Sequence, residues 1–233
     1  MSAETSEASE LNLPQAFLLL ATNDQDGTPE VPIYALRTTL AGAILAELDL
    51  VGAIVLQGKR VRAAGTAPQT DFQHELELIR GKSRPHTPKR WVSMLEGRAE
   101  VQRVYEGLAA LGIVEHVGEK HLGLFRAVRY PEKDHAPEAA LLRKIQTALS
   151  GAPSDAAATD AGTPAPAKPD AKAPDARTTA LIALLQAAGL LGKLVPAADK
   201  IRASDLAKDY WPSRAVEDEL RMIRLAEEEE PGL

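Results

Sequence analysis

The sequence predicts a mainly α-helical fold: a compact helical domain around a central apolar helix, with two small β-hairpins. Three observations carry this. Apolar residues recur at helical spacing along most of the chain. One segment, "RTTLAGAILAELDLVG" (37–52), is apolar around most of its circumference, which suits a helix enclosed by others. Two stretches, 53–65 and 113–130, read instead as short strands about turns. Hydrophobic residues make up 45% of the 233, enough for a core, while aromatics are only 4%, so Leu, Ala, Val and Ile must fill it.

Residues 1–10 are polar and acidic and are expected to be disordered. "LNLPQAFLLLA" follows, with Pro14 suited to a first helical turn and Ala16, Leu19 and Leu20 continuing an apolar face. "TNDQDGTPE" is a turn, and "VPIYAL" reads as a short extended piece. In the central helix Leu40, Ile44, Leu48 and Val51 share one face, flanked by Ala41 and Leu45. "AIVLQGKRVRAAG" (53–65) predicts two short strands around a Gly-Lys turn.

Three helices are expected next, over 70–81, 87–97 and 99–112. In the second, Thr87 is placed to cap and Pro88 takes the first helical position. In the third, Val101, Val104, Leu108 and Leu111 form an apolar stripe. "IVEHV" and "HLGLFRAVRY" then flank Gly118-Glu119-Lys120, which predicts a hairpin turning at those three residues. "APEAALLRKIQTALS" (136–150) is a further helix. The Ala-, Pro-, Asp- and Lys-rich stretch 151–176 offers nothing for a core and is expected to be a disordered linker. Helical spacing returns over 177–195, and the remainder reads as two helices broken near Trp211-Pro212. The acidic run at 227–233 closes the chain as a tail.

Composition narrows function. The absence of cysteine excludes a thiolate metal site and a cysteine nucleophile, and fits a reducing cytoplasm. "MSAETSEASELN" lacks the basic start and apolar run of a secretory signal. The apolar runs are interrupted before the ~18 residues of a membrane span, so a soluble or peripheral protein is expected. A net charge of −6 argues against indiscriminate binding to polyanions. Basic clusters at 58–62 and 80–90 nonetheless leave room for a positive face.

No phosphate-cradling glycine loop, nucleophile elbow or H-E-x-x-H is present. His116 and His121 share the second hairpin but lack a third ligand at metal spacing, so no metal site is predicted. Glu47 in the central helix is the one acid placed to be buried, suited to a backbone end or an Arg partner rather than to catalysis. No catalytic residue and no cofactor is predicted.

"LPQAFLLLATNDQDG", "LAGAILAELDLVGAIVL" and "GIVEHVGEKHLGLFRAVRYP" occur in that order, and together they resemble the Golgi phosphoprotein 3 family, in particular its bacterial branch. The resemblance covers residues 11–150 as the first part of the domain and extends to the helices of 177–226. It implies a non-enzymatic, mostly helical domain that sits peripherally on membranes, here the inner face of a cell membrane. In eukaryotic members such a domain binds phosphatidylinositol 4-phosphate and holds glycosyltransferases, so an anionic phospholipid or phosphoinositide-like headgroup and a membrane-enzyme partner are implied. Self-association is compatible with the resemblance, and no nucleic acid is expected.

The family's lipid pocket uses a Trp ahead of the central helix, an Arg at its start, and two Arg three residues apart on a later helix. These positions fall here on Pro32, Ala41, Arg98 and Val101, so only Arg98 is retained. Arg37, Arg90 and Arg103 are the other arginines placed to supply a planar fork for a phosphate. The family's apolar hairpin, which inserts into the bilayer, corresponds to Leu122, Leu124 and Phe125 with Arg126 beside them.

Two other readings stay open. "VQRVYEGLAALGIVE" followed by a hairpin resembles a winged helix, with Arg214, Arg221 and Arg224 on a recognition helix that also carries Glu217, Asp218 and Glu219. A soluble protein–protein scaffold with no lipid ligand, its hairpin tip serving as the partner site, is the other.

Overall fold

The computed structural model describes residues 10–66, 68–118, 120–121, 124–125, 128–150 and 174–229. The first helix, α1 (Leu13–Leu20), opens on a capping box: Gln15 N–H donates to the Asn12 side chain at 2.9 Å and Asn12 N–H donates to Gln15 Oε1 at 3.2 Å. Pro14 occupies the first turn, and every residue of α1 except Gln15 is buried. A tight turn over Asn23–Thr28 follows, closed by Asn23 N–H donating to Thr28 O at 2.8 Å.

Helix α2 (Ile33–Leu50) is the central one. It buries Leu36, Leu40, Ile44, Leu45 and Leu48 completely or nearly so, each side chain contributing about 1.5–3 kcal/mol relative to exposure. It begins four residues before the sequence pattern suggests. "VPIYAL" is not extended beyond Pro32, which precedes the first helical residue and keeps its own backbone at φ −52°, ψ 145°. The β-branched and aromatic residues after the proline look strand-like, but packing against α2's neighbours overrides that local preference.

Strands β1 (Ile54–Gln57) and β2 (Arg60–Ala63) pair antiparallel with Gln57 opposite Arg60, so Gly58-Lys59 forms the turn as predicted. Helices α3 (Gln73–Arg80), α4 (Pro88–Leu95) and α5 (Arg98–Ala110) follow. Thr87 caps α4, accepting from Arg90 N–H at 3.4 Å. Trp91 of α4 is fully buried, edge-on to His86.

The second hairpin corrects its predicted turn. Strands β3 (Lys120–His121) and β4 (Leu124–Phe125) pair Lys120 with Phe125 and His121 with Leu124. The chain therefore reverses between His121 and Leu124, not at Gly118-Glu119-Lys120. Bridges between Val117 and Arg129 and between Val114 and Glu132 continue the same pairing toward its base. That base is docked on the Asn23–Thr28 turn: Tyr130 N–H donates to Gly27 O at 3.1 Å and Glu132 N–H to Asp24 O at 2.9 Å. Gly27 has φ +68°, and a Cβ there would lie 2.3 Å from Pro131 N. A side chain at this position would push the hairpin off the turn.

Helix α6 (Ala136–Ser150) matches its expected limits. The predicted helix over 177–195 is divided by Ala188–Leu190 into α7 (Ala176–Ala187) and α8 (Leu191–Leu194). Asp175 caps α7 by accepting from Thr178 N–H at 2.8 Å. Helices α9 (Lys200–Ala207) and α10 (Trp211–Glu229) follow, separated just before Trp211. Helix α2 is packed by α1, α4, α5, α7 and α10, and the buried residues of all these elements form one continuous core.

Candidate functional site

Helices α2 and α5, the Asn23–Thr28 turn and the hairpin base enclose a cleft of about 460 Å³. Its apolar wall is formed by Leu36, Val101, Tyr105 and Tyr130. The two tyrosine rings stack with centroids 4.2 Å apart and planes 1° from parallel. Tyr105 is fixed further by a 2.7 Å hydrogen bond between its hydroxyl and Thr22 Oγ1. Burial pushes the Tyr105 phenol up to about 12, so it stays a neutral hydrogen-bonding wall.

Two arginines enter this cleft from different helices. Arg37 lies in the second turn of α2, and Arg98 is the first residue of α5. Arg37 is half-buried, and its Nε is buried without a hydrogen-bond partner among the described residues. Such a donor is costly to leave unmet. Near it, Glu96 accepts from Thr38 Oγ1 at 2.7 Å. Burial raises the Glu96 carboxyl, with Glu219 adding to the rise, and Arg37 pulls it partly back. Arg98 is exposed. The N-terminus of α5 is not a free anion site, because Glu100 folds its carboxylate back over Gly97. The donors that this cleft leaves suited to an anion are the guanidinium groups.

The rim is apolar. Ile33 at the start of α2 is 51% exposed, and Val128 from the hairpin is 48% exposed. Neither was singled out by sequence reasoning. Ile33 was hidden by being read as part of an extended piece, and Val128 lay just outside the "LGLF" motif. The tyrosine pair had a signal only in "RYP", since nothing local joins Tyr105 to Tyr130.

The remaining predicted arginines lie elsewhere. Arg90 is exposed on α4 and does not line the cleft. Arg103 faces α3, where its guanidinium pairs with the fully buried Glu75 carboxylate. The structure thus brings together Arg37 and Arg98 but not Arg90 and Arg103. Leu122 and Arg126 lie outside the described residues, and Leu124 and Phe125 are described only by their strand pairing. His116 packs against Tyr130 at 5.2 Å between ring centroids.

A larger cavity of about 690 Å³ lies between α1, α6 and α7. Its cations are already engaged: Lys144 with Glu10 at 3.3 Å, and Arg177 with Glu47 at 2.5 Å. Glu47 also accepts from Leu13 N–H at 2.7 Å, so it meets both a helix end and an arginine, the two roles its sequence position suggested. The smaller cleft is the one with an unmet buried donor and an exposed guanidinium.

The sequence profile of the Golgi phosphoprotein 3 (GPP34) family matches residues 13–223, which includes every element that lines this cleft. No curated protein matches the chain. Among the described residues no helix is long and apolar enough to cross a membrane.

Proposed function

Because the chain belongs to the Golgi phosphoprotein 3 family, we propose that it is a non-enzymatic peripheral membrane adaptor. It binds the headgroup of an anionic or phosphoinositide-like lipid in the Arg37–Arg98 cleft. The observation that carries this reading is a single cleft lined by two arginines, one with an unpartnered buried Nε, and by the exposed apolar side chains of Ile33 and Val128. A phosphate meets both needs, accepting from the guanidinium donors and keeping its remaining oxygens toward water. A cleft of about 460 Å³ has room for a headgroup.

The magnitudes suit reversible association. Each basic residue near an anionic surface is worth about 1 kcal/mol. Insertion of Ile33, Val128 and the apolar hairpin residues adds about 1.5–3 kcal/mol for each side chain that is buried. Together these hold a protein on a membrane transiently and leave anchoring to a second contact, such as a membrane-enzyme partner. With Arg98 the only family pocket position retained, selectivity for a 4-phosphate is not part of the proposal.

Helix α10 does not suit the role of a recognition helix. Helix α10 buries Ala215, Val216 and Leu220 in the core, and its Arg221 pairs with Asp218 of the same helix at 2.7 Å. Flotation with anionic and with neutral vesicles tests the proposal, with random duplex DNA as the competing ligand. Salt-sensitive binding to the anionic vesicles supports it. Failure to bind either vesicle removes it, and salt-dependent binding to the duplex would favour the winged-helix alternative.

A further inference from the structure

Asp24, Glu132, His135 and Glu138 meet where the Asn23–Thr28 turn, the segment leaving the hairpin and the first turn of α6 come together. One ligand atom each from Asp24, Glu132 and His135 lies within 4.8 Å of the others. The His135 Nδ1 contacts Glu132 Oε2. Glu138, in the first turn of α6, is buried beside them. No Lys or Arg forms an ion pair with any of these three carboxylates among the described residues.

Three crowded carboxylates facing one imidazole are short of positive charge. A second observation points to what supplies it. The Glu132 side chain is only 3% exposed, and its Oε1 is buried with no hydrogen-bond partner among the described residues. A carboxylate oxygen held in that state needs a proton donor or a cation.

We propose that Asp24, Glu132 and His135, with Glu138 beside them, bind one divalent transition-metal cation. A neutral imidazole with carboxylates is a donor set suited to Zn²⁺ or Mn²⁺. Bonds of about 2.0–2.2 Å place ligand atoms roughly 3–4 Å apart, so the group closes slightly around the ion. Asp24 and the His135 side chain are exposed and supply that movement, while Glu132 is the fixed ligand. The ion would fasten the hairpin base to the turn and to α6. This site is separate from the headgroup cleft and does not depend on its function.

The test uses the full chain, stripped with a chelator and titrated near neutral pH with Zn²⁺, Mn²⁺, Ca²⁺ and Mg²⁺ by calorimetry. Thermal unfolding is followed in parallel. One Zn²⁺ or Mn²⁺ should bind per chain. At free metal about a hundredfold above Kd the Tm should rise by roughly 5–10 °C and fall back on adding EDTA. Glu132→Gln should abolish this binding, and His135→Ala should weaken it roughly tenfold or more. Without metal, Glu132→Gln should match or exceed the wild-type Tm, because it removes an uncompensated charge, so its loss of binding is not loss of fold. Saturable binding by none of the four cations, binding confined to Ca²⁺ and Mg²⁺, or Zn²⁺ and Mn²⁺ binding unchanged in Glu132→Gln would each overturn the proposal.

Discussion

Arg177 and Glu47 lie 130 residues apart and form a bidentate ion pair, Nη1 to Oε2 at 2.5 Å and Nη2 to Oε1 at 3.0 Å. The same carboxylate receives Leu13 N–H, so one side chain of α2 fixes the start of both α1 and α7. Removing Glu47 alone strands a partly buried guanidinium and an amide. Glu47→Ala should lower unfolding stability by roughly 3–5 kcal/mol, and the paired Glu47→Leu, Arg177→Leu replacement should cost much less. Urea denaturation of the three proteins measures the difference.

Gly42 stands where α2 meets α10. A Cβ built there would fall 2.2 Å from Val216 Cγ2, and Val216 is fully buried. Gly42→Ala gains about 1 kcal/mol of helix propensity but overpacks this crossing. The clash should win, giving a net loss of roughly 1–3 kcal/mol. Adding Val216→Ala to Gly42→Ala should then cost less than Val216→Ala does alone, because the new methyl fills the space the valine vacates.

Arg103 distinguishes a structural arginine from a binding one. Its partner Glu75 is fully buried, with Oε2 already lacking a donor among the described residues. Arg103→Met should destabilise the fold by roughly 3 kcal/mol. Glu75→Gln in the same chain should recover much of that loss in thermal unfolding.

Glu96 predicts a pH dependence. Burial raises its folded-state carboxyl above the ordinary 4.5. The unfolded chain therefore releases this proton first as pH rises, and the folded chain holds it longer. The associated stability is complete below about 4.5 and is lost as pH climbs through the raised value. Glu96→Gln should flatten that part of the stability–pH curve. Chemical denaturation at a series of pH values reads the change in slope.

How much of this was legible in the sequence depended on whether the signal was local. The central helix declared itself because α2 is enclosed on nearly all sides, so its apolar residues run all round. The α4 cap and the β1–β2 turn were equally plain, each being a short chemical pattern with one geometric solution. The start of α2 at Ile33 was not, since Val31-Pro32-Ile33-Tyr34 has strand-like composition and only tertiary packing makes it helical. The reversal of the second hairpin was misplaced because Gly118 looked like a turn residue, whereas the pairing of His121 with Leu124 sets it further along. Arg37 was picked out by type alone, and its meeting with Arg98 depends on how α2 packs on α5. The Asp24, Glu132 and His135 group joins the N-terminal turn to the far side of the hairpin, and no spacing motif spans that distance.

In the proposed function Arg37 and Arg98 act together on an anionic headgroup. Co-flotation with vesicles containing an anionic lipid, measured for wild type, Arg37→Gln/Arg98→Gln and Arg90→Gln, tests it most directly. The double variant should keep the wild-type Tm and bind roughly 30-fold more weakly, about 1 kcal/mol for each lost contact. Arg90→Gln, outside the cleft, should have a much smaller effect. A double variant that floats with anionic vesicles as well as the wild type would rule out a headgroup site at Arg37 and Arg98.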